Sequence, residues 1–148
     1  LVSCAEAIDR LITVDVSGRG VIGKLYQAAR ALSSRPLVLT ASEGLQRSLS
    51  NKKAVFIATG WPDRTAVDLT IAETDGPSGA AVLARTLDRA FGVVPVLLTE
   101  EQLVPALSEV VGSAGLKVLA CESLLRTWES KGPIHGATVL PFPISVLE

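Results

Sequence analysis

Apolar residues first recur at helical spacing and then, past the first third of the chain, gather into short unbroken runs. Ile8, Leu11 and Ile12 extend a stripe that Ser3 and Glu6 would open as a capping box, with Val2 and Ala7 as its staple. The loop Ser17-Gly18-Arg19-Gly20 interrupts. Val21, Ile22, Leu25, Ala28, Ala29 and Leu32 then predict a second helix. Ser33-Ser34-Arg35-Pro36 ends it, because proline disfavours helix in the residue before it. Residues 37–51 read equally as a short strand on Leu37-Val38-Leu39 or as a weak helix.

From position 54 the pattern sharpens. Ala54-Val55-Phe56-Ile57-Ala58, closed by Thr59-Gly60, predicts a buried parallel strand. A loop of about a dozen residues follows, a length associated with function. The next helix is expected to start near Pro77, to bury Ala80, Leu83, Ala84, Leu87, Ala90 and Phe91, and to end at Gly92. Its wet side would carry Arg85, Asp88 and Arg89. Val93–Leu98 predicts a second strand, and its Pro95, lacking an N–H, suggests an edge position or a bulge. Thr99 and Gln102 look like the cap of a helix carrying Leu103, Leu107, Val110 and Val111, in which Pro105 is either a kink or the true first turn. Leu116–Ala120 is a third strand, Glu122–Ser130 a helix and Ala137–Leu140 a fourth strand. This alternation predicts an α/β three-layer sandwich with a mostly parallel sheet of Rossmann-like βαβ units, preceded by two N-terminal helices.

Composition narrows the function classes. The chain has 148 residues, 48% of them hydrophobic, with a formal net charge of −1. That is enough for one domain burying roughly 70% of its unfolded surface. The charge leaves no basic footprint for nucleic acid, and no apolar run approaches the roughly 18 residues of a membrane span. Cys4 and Cys121 lie far apart without a nearby histidine, which reads as two buried thiols in a reducing compartment. The chain starts at Leu1 and contains no methionine, so residues 1–148 are expected to be a single, incomplete domain of a longer protein.

Candidate chemistry sits in the turn Glu73-Thr74-Asp75-Gly76-Pro77. Ligands collect at the carboxyl ends of parallel strands, and this turn lies between a strand and a helix. With Pro77 at the first helical position, Gly76 would be the N-cap, leaving the N–H groups of Ser78, Gly79 and Ala80 for an anion. Were residues 73–75 extended, the carboxylates of Glu73 and Asp75 would point the same way, a hard-oxygen pair suited to Mg²⁺ or Mn²⁺. The same residues also make an ordinary turn, with Asp75 favoured by the helix dipole alone.

The run Glu73-Thr74-Asp75-Gly76-Pro77-Ser78-Gly79-Ala80, followed by Leu83-Ala84-Arg85-Thr86-Leu87, resembles the signature of the D-glutamate cyclase family. Thr59-Gly60 is similar to the family's Thr-Gly-Phe segment, with Trp61 where Phe is usual. Gly18-Arg19-Gly20 resembles its Arg-Gly turn. The resemblance spans about positions 5 to 140. It implies a lyase, cytoplasmic or in a mitochondrial matrix, that cyclises D-glutamate to 5-oxo-D-proline with loss of water. It also implies a divalent metal, Mn²⁺ or Mg²⁺, held by Glu73 and Asp75 as the catalytic residues. Arg19, Thr59, Gly60, Thr74, Gly76, Ser78, Gly79 and Ala80 would bind the substrate, a small acidic amino acid. The family's downstream glycine-rich acidic motif has no counterpart here, so this chain alone is expected to be inactive.

Other readings stay open. A non-catalytic binding module for a small acidic metabolite would use the same fold and helix start. A nucleotide enzyme is disfavoured, because the loop after Ala58 is neither Gly-x-Gly-x-x-Gly nor a P-loop. His135, in the loop Gly132–Gly136, reads as a surface residue, and Asp63 and Asp68 as solvated acids of the long loop. Trp61 and Pro62 could wall a pocket.

Overall fold

The computed structural model describes residues 1–64, 66–131 and 134–142, and the chain forms two compact units, residues 1–50 and 51–148. Gly132 and Pro133, read above as part of the His135 loop, lie outside the described residues.

The first unit holds three helices: α1 (Val2–Ile12), α2 (Ile22–Ala31) and α3 (Leu37–Leu49). One more helix is present than the sequence indicated. The capping box at α1 does not form, because the helix already starts at Val2 with Leu1 in the cap position, placing Ser3 and Glu6 inside it. Residues 37–49 are helical for a reason far away in sequence. The Asp9 carboxylate, buried on α1, accepts the N–H groups of Leu37 (2.7 Å) and Val38 (2.9 Å). It thereby caps α3, which Pro36 in the cap position does not do with its own side chain.

Burial pushes the Asp9 carboxyl up. The amides of Val38 and Leu37, the Tyr26 hydroxyl and the Arg30 charge outweigh it and hold Asp9 below its ordinary value of 3.8. A depressed folded-state value adds stability above the unfolded value, and that stability is lost as pH falls through the folded value. Helicity of this unit, followed by circular dichroism, is therefore expected to fall at pH below about 4. Asp9→Ala is expected to melt roughly 5–10 °C lower at neutral pH and to lose most of that acid dependence.

The second unit runs β1 (Ala54–Ala58), α4 (Asp75–Phe91), β2 (Val94–Thr99), a 3-10 turn (Glu101–Leu103), α5 (Val104–Ser113), β3 (Lys117–Val118), α6 (Cys121–Lys131) and β4 (Gly136–Pro141). The described strands form one sheet, order β1-β2-β4-β3, with every pairing parallel. The sandwich expected from the βαβ pattern is present. On one face, Ala80, Ala81 and Ala84 of α4 and Leu107 and Val111 of α5 pack on Leu97 and Ala137. On the other, Leu124 of α6 packs with Val94 and Val96.

Several details differ from expectation. Pro95 lies on an interior strand, not an edge. The Val94 N–H donates to Lys53 O on the β1 side, so the alternating backbone aims the Pro95 nitrogen toward β4. Pairing with β4 begins only at Val96, and no ladder bond is lost. Pro105 falls in the first turn of α5, which it suits without a kink. The third strand is cut to two residues. Cys4 is exposed and Cys121 half-buried, not two buried thiols.

The buried stripe of α4 is Ala80, Ala81, Ala84, Leu87 and Asp88, while Leu83 and Phe91 remain exposed. Asp88 is thus a core residue rather than a wet one. Its carboxylate, 1% exposed, meets His135 Nδ1 at 2.9 Å and Arg89 Nε at 3.8 Å. This contact joins the last turn of α4 to the amino end of β4, at the opposite edge of the sheet from the strands' carboxyl ends. Gly92, in the left-handed region (φ 64°), closes the helix by donating its N–H to Asp88 O.

Candidate functional site

At the carboxyl end of β1 the Thr59 N–H donates to Leu98 O (3.0 Å), carrying the pairing with β2 one residue past the strand. Gly60 then turns the chain with φ +91°, a conformation that L side chains rarely adopt. The space is equally demanding. A Cβ at Gly60 would collide with the Thr99 hydroxyl and lie 3.3 Å from Thr99 Cβ and 3.4 Å from Leu103 Cδ1.

The long loop is folded back on itself. Asp63 N–H donates to Ile71 O (2.8 Å), Pro62 bridges Ala72, and Glu73 N–H donates to Trp61 O (3.1 Å). These contacts fix Glu73 opposite the turn that leaves β1. The loop's other acids serve it locally. Asp68 Oδ1 accepts the Thr70 N–H and hydroxyl, both at 2.7 Å, and these hold its carboxyl below the usual range. Asp63 accepts the Arg64 N–H at 2.9 Å.

The helix start lies two residues earlier than Pro77. Asp75 is the first residue of α4 and Thr74 its N-cap, in right-handed helical conformation (φ −87°, ψ −23°). Two earlier expectations change as a result. Residues 73–75 are not extended, so alternation does not carry Glu73 and Asp75 to one side. The main-chain N–H groups without an intrahelical acceptor are those of Thr74, Asp75 and Gly76, since Pro77 has none; Ser78, Gly79 and Ala80 lie within the ladder. The Ser78 hydroxyl donates back to Thr74 O (2.7 Å), and Ala80 is in the core.

Of the hollows that open here, two reach Glu73. One, of about 250 Å³, lies between Gly60, Glu73, Thr74, Ser78 and Thr99 on its polar side and α5 on its apolar side. The other, wider and more open at about 730 Å³, is bordered by Thr59, Gly60, Trp61, Glu73, Gly76 and Glu100. Glu73 borders both, and Asp75 borders neither. No Lys, Arg or His is among the residues lining either one. Thr59 and Gly76 meet closely: a Cβ at Gly76 would lie 3.2 Å from Thr59 Oγ1.

The Gly18-Arg19-Gly20 turn belongs to the first unit. Both glycines have positive φ, and the turn wraps around Asp15, whose carboxylate accepts the Ser17 hydroxyl (2.9 Å) and the Gly20 N–H. The Ser17 bond foremost, then the turn's amides, hold Asp15 below its ordinary value against the opposing effect of burial. The turn's amides are thus filled by the chain's own carboxylate, and the Arg19 side chain is exposed.

The family described as D-glutamate cyclase-like, C-terminal, matches residues 8–139. The chain belongs to that family. No curated protein and no solved structure matches it.

In this D-glutamate cyclase-like domain, two segments quoted from the sequence, Thr59-Gly60 and Glu73–Ser78, meet around the hollows. Sequence reading missed Thr99 and Glu100. Both stand at the carboxyl end of β2, the neighbour of β1, and the rule that parallel sheets bind there points to them. Thr99 was hidden by its likeness to a helix cap. It is in fact the last residue of the strand, with Glu100 capping the 3-10 turn and no side-chain cap bond present. Among the described residues no three His, Cys, Asp or Glu side chains gather as a ready metal cage.

Proposed function

We propose that the domain contributes the substrate site of a lyase that cyclises D-glutamate to 5-oxo-D-proline, with Glu73 at its centre. The observation that carries this reading is Glu73, held by its own main chain at the junction of two hollows whose lining side chains include no cation. Ring closure needs the substrate's ammonium to lose a proton before its nitrogen attacks the side-chain carboxyl carbon and water departs. A carboxylate placed beside that ammonium first pairs with it and then accepts its proton. Among the described residues lining the smaller hollow, Glu73 is the sole ionisable one. The N–H and hydroxyl of Thr74 on the smaller hollow, with the Gly76 N–H on the wider one, suit a substrate carboxylate.

Charge supports a divalent ion as a companion of the substrate. D-Glutamate carries one net negative charge, and placing it beside Glu73 and Glu100 leaves three with no lining cation to offset them. The two carboxylates on the wider hollow are hard-oxygen donors of the kind Mg²⁺ and Mn²⁺ take, and such ions complete their shell with water or substrate oxygens. Glu73 and Glu100 thus fit a shared ion better than Glu73 and Asp75 do. Bound there, the ion would polarise the substrate carboxyl as a Lewis acid.

The test is D-glutamate turnover by this chain and by its full-length parent, with Mn²⁺ or Mg²⁺ titrated in. Formation of 5-oxo-D-proline, rising with the ion and weakened in Glu100→Gln, is the expected result. Saturable D-glutamate binding by the parent without product would make this a binding module.

A further inference from the structure

We infer that Thr99 is a substrate-contact residue whose hydroxyl donates a hydrogen bond to a carboxylate of the ligand in the smaller hollow; the inference rests on the proposed function and deepens it. Thr99 ends β2, the strand between β1 and β4, and is 3% exposed. Its main chain is engaged, with the carbonyl accepting the Phe142 N–H at 2.6 Å. Its Oγ1, by contrast, is buried with no hydrogen-bond partner among the described residues. Buried hydroxyls are nearly always paired, and one left alone is destabilising. Packing does not explain it, because valine has the same shape and carries no such penalty.

The direction of the hydroxyl is informative. It packs against Gly60, where a Cβ would strike it, and both residues line the smaller hollow. A glycine with positive φ and a buried hydroxyl unpaired among the described residues thus meet on this wall. The other polar groups on this wall differ in kind. Glu73 brings carboxyl oxygens, and the Ser78 hydroxyl proton already points to Thr74 O. Thr99 therefore adds a side-chain O–H donor on the β2 side, while the N–H and hydroxyl of Thr74 stand at the α4 start on the same hollow. An amino acid with a carboxylate at each end can use both sets, while its ammonium meets Glu73. A ligand with one carboxylate leaves one set unpaired, so the arrangement selects a dicarboxylate.

The experiment compares the full-length protein with its Thr99→Val and Thr99→Ser forms, measuring melting temperature, D-glutamate turnover and 5-oxo-D-proline binding. Thr99→Val is expected to melt at the same or a higher temperature while KM for D-glutamate rises about tenfold and kcat changes little, the mark of a contact made equally in ground and transition states. Thr99→Ser keeps the hydroxyl and is expected to stay within about threefold of the parent KM. An unchanged KM in an active, folded Thr99→Val would overturn the contact and leave the proposed function standing. A parent that neither turns over nor binds D-glutamate overturns both.

Discussion

Gly60→Ala is expected to be the most damaging single-methyl change in the second unit. Two independent penalties act at this position. An L residue at φ +91° costs about 1–3 kcal/mol, and forcing a methyl against Thr99 and Leu103 costs about 1–3 kcal/mol more. Together they amount to about 2–6 kcal/mol, enough to lower the melting temperature by roughly 10 °C or more. The same methyl strikes the Thr99 hydroxyl itself and would displace it, so ligand binding is expected to fail even where the protein remains folded. The two penalties separate in a double-mutant cycle. Adding Thr99→Ala removes the struck hydroxyl but not the backbone strain, so stability is expected to recover by about 1–2 kcal/mol relative to additivity. A fully additive cycle would show that the steric half of the explanation is wrong.

Glu73→Gln is expected to have the largest effect on turnover. The amide has nearly the shape of the carboxylate, and the position's fixing contact is the main-chain bond to Trp61, which the substitution retains. Folding and melting temperature are therefore expected to stay the same. What disappears is the negative charge that pairs with an ammonium and the base that takes its proton, a loss of about 10²–10⁴-fold in kcat/KM. Asp75→Asn is the natural comparison. Asp75 borders neither hollow and stands at the first position of α4, where its charge interacts with the helix dipole, an effect of about 0.3–1 kcal/mol on stability. Its kcat/KM is expected to change no more than about fivefold, as a modest shift in the helix start would produce. Equal losses in the two variants would restore the paired-carboxylate reading and remove Glu73 from its separate role.

Local patterns were legible and long-range ones were not. β1 as a parallel strand, the body of α4 and its Gly92 stop follow from runs and periodicity within a dozen residues, as does the place of the acidic turn at the strand ends; the burial expected of β1 does not, because it is an edge strand with Phe56 exposed. The helical state of residues 37–49 could not, because its deciding group, Asp9, stands 28 residues before Leu37. Asp88 looked wet because an aspartate on a helix usually is; the His135 partner, 47 residues on, helps make its burial tolerable, beside the weaker contact to Arg89. At the site, an error of two residues in a helix start redirected the whole assignment. With Pro77 in the third position instead of the first, the available amides move and the two carboxylates part company. Thr99 shows the opposite failure. A polar residue just before a helical pattern looks like a cap, and that local reading concealed a hydroxyl whose function depends on a glycine 39 positions earlier.

The cross-loop bonds between 61–63 and 71–73 also divide this segment by its tolerance of altered length. Extra residues at the outer bend, around Val67, would enlarge a projection without transmitting their displacement past the Asp63–Ile71 bond. A single residue inserted between Ile71 and Glu73 would instead break the bond to Trp61 and swing the carboxylate away. The segment is thus expected to accept added length at its apex and none at its base.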